Sequence, residues 1–279
     1  MNDFSYEILD LLKKYDNDTN AALAGENSPQ CLYAFSPLRE NLFEWVEFEK
    51  DSRILQIGSD YGSFTGILAE QAGEVVVLDP RDENLEVNRI RHGARANVTF
   101  VRGELCDQTQ WKVYKDPSKD IQAIMSKPFD YIVIGTFLMQ CKKEESAEFL
   151  KKAANCLKEG GVILAAVENE TGVRYWMGAE KLENSYMESE FRSLFAELTK
   201  TWGGTFTMYY PVPDYRYPVA VYSDHYLPET GDVTNISARY DGPGFWFGSE
   251  EEAMAKACQN GTFTKFNNSF LGVWEKGTK

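Results

Sequence analysis

The residues best able to do chemistry sit where short apolar runs stop. The stretch "ILQIGSDYGSFTG" (54–66) passes from an apolar run through Gly58, Ser59, Asp60, Tyr61 and Gly62 into what reads as a helix, with Gln56 just before the bend. Glycine lets the backbone bend sharply and approach a ligand closely, and the first amides of the following helix face it. Asp79, followed by Pro80, ends the run "EVVVLD" 21 residues beyond Gly58. In dinucleotide folds that spacing sets a carboxylate against ribose hydroxyls. Gly103, Glu104 and Leu105 follow "VTFVRG", and Glu104 is suited to accept a hydrogen bond from an exocyclic amine. Gly135 and Thr136 end "FDYIVIG", and Glu168 and Asn169 end "GVILAAVE". Singly, each has a plainer reading as a turn, a helix cap or a solvated loop end. Together they predict a site for a nucleotide-like cofactor.

The elements that must position these residues are legible in the same pattern. Apolar, β-branched runs at 53–58, 74–79, 98–103, 129–135 and 161–168 suit strands buried on both faces, and helical patterns lie around 63–72, 82–92 and 143–157. This alternation predicts an α/β fold with a Rossmann-like, doubly wound, mostly parallel sheet, in which ligands bind outside the carboxyl ends of the strands. Two later strands, "GGTFTMYYP" (203–211) and "NSFLGVWEK" (268–276), bring the expected total to seven, and a helix is expected around 187–200. The segment 104–128 reads as a short helix and a loop.

Residues 1–50 read as a helical extension. Phe4, Ile8, Leu11, Leu12 and Tyr15 share a helix face, and "SPLRENLFEWVEF" opens with a capping Ser36 and Pro37 at the first helical position. Residues 51–279 form the main domain, with insertions at about 170–190 and 211–262 acting as a cap. "SEEE" (249–252) has capping-box spacing.

Composition narrows the partners. A net charge of −14 argues against nucleic acid, whose phosphates need a basic surface. Five scattered cysteines without a CxxC pair, and only His92 and His225 as histidines, give no metal site and fit reduced thiols in a cytoplasmic protein. The acidic N-terminus lacks the form of a signal peptide, and no stretch has the length of a membrane span.

A nicotinamide site calls for G-x-G-x-x-G, whereas this chain reads G-S-D-Y-G-S. The spacing Gly58-x-x-x-Gly62 instead resembles the first motif of class I S-adenosylmethionine-dependent methyltransferases, acid–apolar–Gly-x-Gly-x-Gly, and "LKEGG" (157–161) resembles their "LKPGG" link. Four longer segments resemble bacterial methyltransferases found with glycosyltransferases in cell-surface glycan synthesis: "FSPLRENLFEW" (35–45), "VENETGVRYWMGA" (167–179), "YYPVPDYRYPVAVYSDHYLP" (209–228) and "FNNSFLG" (266–272). The resemblance implies an antiparallel last strand and S-adenosylmethionine as cofactor. It also implies a small-molecule or glycan-linked acceptor methylated on a hydroxyl, and association with a glycosyltransferase. It would set the backbone of Gly58–Gly62 on the methionine end, Asp79 on the ribose, Glu104 at the adenine, and Thr136 and Asn169 near the methyl group.

The chain departs from that family's pattern at Gln56, where relatives carry an acid, at Asp60, where they carry glycine, and at "EKLENS" (180–185), which lacks their histidine. Asp60 tolerates a left-handed backbone, and its charge is expected to serve the cofactor's ammonium group in place of the missing acid. His225, Glu168 and Asn169 are the expected catalytic set, with Glu183, Asp214 and Asp224 as further candidate bases. The alternative reading is a catalytically degenerate, methyltransferase-like binding or scaffold protein.

Overall fold

The apolar runs become strands because both of their faces are covered. In β1 (Arg53–Ile57), Leu55 and Ile57 pack to one side of the sheet and Ile54 to the other. In β2 (Glu74–Asp79), Val76 and Leu78 face one way and Val75 and Val77 the other. The same alternation holds in β5 (Phe129–Ile134) and in β6 (Leu157–Glu168). A computed structural model describes residues 5–233 and 247–278 of the chain. Phe4, part of the first expected helix face, lies outside them, as does the stretch 234–246 of the second insertion.

Among the described residues nine strands form one sheet in the order β4-β3-β2-β1-β5-β6-β9-β7-β8, completed by β3 (Val98–Glu104), β4 (Asp107–Val113), β7 (Thr205–Val212), β8 (Ala220–Ser223) and β9 (Ser269–Glu275). β3, β2, β1, β5 and β6 run parallel, and β9 lies antiparallel against both β6 and β7. The expected fold class and the antiparallel last strand are found, with two strands more than the seven counted. One extra strand is β4, which hairpins antiparallel onto β3 inside the segment read as helix and loop. The other is β8, which adds an edge within the second insertion.

Helices cover both faces. In the N-terminal segment, α1 (Ser5–Lys14), α2 (Thr19–Gly25), α3 (Pro29–Phe35) and α4 (Asn41–Glu44) precede the sheet. The single helix expected from Ser36 instead breaks into a 3-10 turn, Pro37–Arg39, and the short α4. The crossovers are α5 (Thr65–Gln71), α6 (Asp82–His92), α7 (Ile121–Met125) and α8 (Lys143–Asn155). Beyond β6 come α9 (Val173–Trp176) and α10 (Glu188–Trp202), then α11 (Glu250–Gln259) and α12 (Phe263–Phe266). Ser249 caps α11 by accepting the Glu252 amide, as the spacing predicts. A third apolar cluster joins Ile8, Leu12 and Cys31 of the N-terminal helices to Tyr61 of the glycine bend and Val87 of α6. Among the described residues no helix is long and apolar enough to cross a membrane.

Candidate functional site

The strand order reverses between β1 and β5, and the carboxyl ends of β1, β2, β3, β5 and β6 share one rim. The polar tips noted in the sequence all fall on it.

At the end of β1 the amide of Gly58 still pairs with the Leu78 carbonyl (2.9 Å), and then the chain turns with Gly58 at φ +87°. A Cβ there would sit 3.2 Å from Cβ of Phe137, so the close approach that calls for glycine is to the turn after β5. Asp60, Tyr61 and Gly62 follow at φ +47°, +57° and +79°. Left-handed backbone costs a non-glycine residue about 1–2 kcal/mol, so Asp60 and Tyr61 need outside support. The N-terminal segment provides it. The Asp60 carboxylate accepts from Arg39 Nη2 (2.5 Å) and from the Tyr33 hydroxyl (3.3 Å). Arg39 is fully buried, lies over the Tyr33 ring (4.0 Å to its centroid), and also donates to the Tyr33 carbonyl and Ser63 Oγ. Arg91 donates to the carbonyl of Tyr61. His92 Nε2 donates to the carbonyl of Gly62 (2.9 Å); burial, aided by the Arg91 charge, pushes its imidazole down to about 4, so the ring is neutral. The charge of Asp60 is thus spent inside the protein on Arg39, which corrects the expectation that it replaces the missing acid toward a cofactor.

Gln56 is buried, and its amide donates to the carbonyls of Gly58 (3.0 Å) and Ser59 (3.3 Å) while accepting from Thr65 Oγ1 (2.8 Å). A carboxylate could not donate to those carbonyls; glutamine stitches the bend closed at that point. Ser59 is fixed in turn by its hydroxyl, which donates to the Asn84 carbonyl and accepts from Asn88.

Asp79 is fully buried at the end of β2. Its Oδ2 accepts the Ser59 amide (2.8 Å) and Asn84 Nδ2 (3.3 Å), and its Oδ1 accepts the Arg81 amide (2.9 Å). The Arg81 guanidinium adds two long contacts, at 3.3 and 3.5 Å, from a side chain about one-third exposed. Pro80 beside it is half-buried. Glu104, at the end of β3, is exposed, and Leu105 after it is buried. Trp111 of β4, not singled out in the sequence, lies across Gly103, where a Cβ would come within 2.5 Å of its ring, and donates to the Glu104 carbonyl (2.7 Å). Gly135 is pressed against Phe64, and Thr136 is buried ahead of the Phe137 turn.

The expected catalytic residues fare differently. Glu168 is fully buried, and its carboxylate accepts from Arg174 (3.2 Å), the Tyr175 hydroxyl (3.0 Å) and Arg216 (2.7 Å). Arg174 also pairs with the buried Asp214 (3.1 Å). A carboxylate so engaged cannot take a proton from an acceptor without losing its partners. Asn169 donates to the carbonyls of Lys265 and Asn267 and accepts from Thr171, which makes it a turn former. Asn268 links the Pro213 carbonyl, Glu250 and the Arg174 amide. The segments "VENETGVRYWMGA", "YYPVPDYRYP" and "FNNSFLG" therefore meet in one buried knot at the end of β6. His225 is exposed beyond β8, whose end at Ser223 pairs with Tyr209, so the structure does not bring it to the rim. Asp224 is held by Arg192 and the Tyr210 hydroxyl, and Tyr210, Tyr215 and Tyr217 are core residues. Among the described residues no three His, Cys, Asp or Glu side chains are grouped to hold a metal ion.

Residue types and positions fit a nucleoside cofactor: a left-handed glycine bend beside a strand-end carboxylate. Arg81 touches Asp79, Trp111 lies across Gly103 and Phe137 abuts Gly58.

Comparison with known proteins bears on the family and the fold. Residues 30–209 match the family described as "Methyltransferase domain". An uncharacterized methyltransferase of Staphylococcus carnosus is 24 % identical over 194 residues, covering 69 % of this chain and 81 % of the relative. Among solved structures, the N-methyltransferase NodS of Bradyrhizobium japonicum in complex with S-adenosylhomocysteine superposes with a TM-score of 0.51 at 13 % identity, over 99 % of this chain and 100 % of that one. A putative methyltransferase of Haloferax volcanii, in complex with its Trm112 activator, gives 0.54 at 16 % identity, over 94 % of this chain and 98 % of that one. At such identities these structures support the fold, and the family match, which spans well over half the residues, supports the rest: the chain belongs to the methyltransferase-domain family.

Proposed function

We propose that the protein transfers a methyl group from S-adenosylmethionine to a hydroxyl of a small-molecule or glycan-linked acceptor. Membership of the methyltransferase family implies this cofactor. The observation that carries the reading is the coincidence, on one rim, of the Gly58 bend (φ +87°) with Asp79, whose carboxylate is held 2.8 Å from the Ser59 amide. The backbone of Gly58–Gly62 would hold the methionine end, Asp79 the ribose and Glu104 with Leu105 the adenine. When bound, the cofactor supplies an activated methyl group for in-line displacement. The chain's own task is alignment and exclusion of water. Asp79 would meet the ribose where the Arg81 guanidinium, which touches it at 3.3 and 3.5 Å, gives way. The glycan and glycosyltransferase links rest on the sequence segments alone.

A second reading has its own support. Gln56 occupies the loop carbonyls, Asp79 has no exposed surface and Glu168 is locked among cations. These features favour a catalytically degenerate binding or scaffold protein of a glycan-assembly system. Calorimetry with S-adenosylmethionine, followed by mass spectrometry for hydroxylated acceptors that gain a methyl group, separates the two. Binding with turnover supports the enzyme, binding without turnover on any acceptor supports the scaffold, and absence of binding refutes the cofactor assignment.

A further inference from the structure

Beside the knot at the end of β6 lies a cleft of about 290 Å³, near the low end of the range for small-molecule pockets. One wall comes from the first insertion, with Thr171, Trp176 and the start of α10, and the other from Lys265 and Phe266 of α12, just after the second insertion. The Asn169 side chain ties the two walls together, through the Lys265 carbonyl on one and Thr171 on the other.

Three observations describe the occupant. First, Trp176 is 66 % exposed, an unusual state for an indole, yet its Nε1 donates to the Thr171 carbonyl (3.2 Å), so the ring is held in place with its face open. Met187, 42 % exposed, and Phe266 extend the apolar surface. Second, the ionic groups of the wall neutralise one another. Lys265 Nζ lies 2.7 Å from Glu188, which also accepts from Arg192 (2.8 Å), so the cleft offers donors and acceptors without a strong field of either sign. Third, the Ser189 side chain is exposed at the mouth, adding a hydroxyl that can both donate and accept. An apolar platform ringed by neutralised polar groups suits a ligand with C–H faces and hydroxyl edges. It suits a free anion or cation poorly.

We infer that this cleft is a subsite for a neutral pyranose ring of the acceptor, stacked on Trp176. The inference rests on the proposed action on a hydroxylated acceptor and names the part of it that is recognised. Two strand spacings, about 10 Å, separate the end of β6 from the Gly58 bend, so a ring held here leaves a neighbouring unit to reach the donor.

The test is ligand-observed NMR on the full chain with a panel of neutral methyl pyranosides, with and without S-adenosylhomocysteine. The expected result is binding of at least one pyranoside, weakened about tenfold or more by Trp176→Ala, partly restored in Trp176→Phe and weakened by Glu188→Gln. Calorimetric affinity for S-adenosylmethionine should be the same in Trp176→Ala as in the native chain, which also shows that the variant is folded. The inference is overturned by three results: no pyranoside binding under either condition, binding indifferent to Trp176→Ala, or a preference for a charged ligand such as tetramethylammonium or inorganic phosphate. Loss of cofactor binding in the native chain alone would count against the proposed function and leave the sugar measurement standing.

Discussion

Asp60→Ala removes the carboxylate paired with Arg39, a guanidinium with no exposed surface. Burial works to lower the proton affinity of Arg39, and the Asp60 charge raises it again, so the side chain remains a cation that needs its partner. Removing one member of a buried pair costs about 3–5 kcal/mol. Three neutral bonds, to the Tyr33 carbonyl (3.0 Å), the Tyr33 hydroxyl (3.3 Å) and Ser63 Oγ (2.9 Å), and the stacking on Tyr33 persist and place the expected loss near the lower bound. Alanine at φ +47° adds about 1 kcal/mol of left-handed strain. The sum, about 4 kcal/mol, is a large share of the 5–15 kcal/mol typical of a folded domain. Asp60→Gly relieves the strain without restoring the charge, so it should lose about 3 kcal/mol. Arg39→Met combined with Asp60→Gly should recover most of that, because no orphaned charge is left. Urea denaturation of the native chain, the three single variants and the double variant gives the coupling directly. A coupling below about 1 kcal/mol would refute the argument that Arg39 and Asp60 hold the bend as a pair.

Arg81→Ala should uncover the Asp79 carboxylate and tighten S-adenosylmethionine binding by about three- to tenfold in calorimetry; weaker binding would mean that Arg81 contributes to the site. His92 is held down at about 4 against an ordinary value near 6.5, so between those values the unfolded chain binds more protons than the folded one. Stability should therefore fall as pH is lowered from about 6.5 to 4, by about 3 kcal/mol, and His92→Gln should remove most of that slope in pH-dependent denaturation. Glu168→Gln removes the buried negative charge shared by Arg174 and Arg216 and should cost about 3 kcal/mol, with turnover lost through loosening of the knot. His225→Ala, on the exposed far edge, should leave both stability and any methyl transfer unchanged within about 0.5 kcal/mol.

The parallel half of the sheet was legible because β1, β2, β5 and β6 are apolar on both faces, and a run such as "EVVVLD" has few other places to go. β4 was not. "DQTQWKV" is an edge strand with little buried surface, so it carries no apolar period to read. β8 is four half-buried residues, "AVYS", hidden among prolines and tyrosines. The rim residues were legible as types at strand ends, but their occupancy was not. Arg39 and Asp60 are 21 positions apart with no periodic relation, and nothing in "GELCDQTQW" says that Trp111 folds back over Gly103. The acids named as candidate bases illustrate the same limit: in sequence Glu168 and Asp214 are free carboxylates, and only the fold supplies Arg174 and Arg216 to claim them.

Because Arg39 grips the bend from outside the sheet, the Gly58–Gly62 turn and the first helices are tied together. Shortening the chain to start after Trp45 would leave every strand intact and yet release Asp60 and Tyr61 from the posture they hold here. Any force that peels the leading segment away, whether a binding partner or a protease, would be transmitted straight to the Gly58–Gly62 turn.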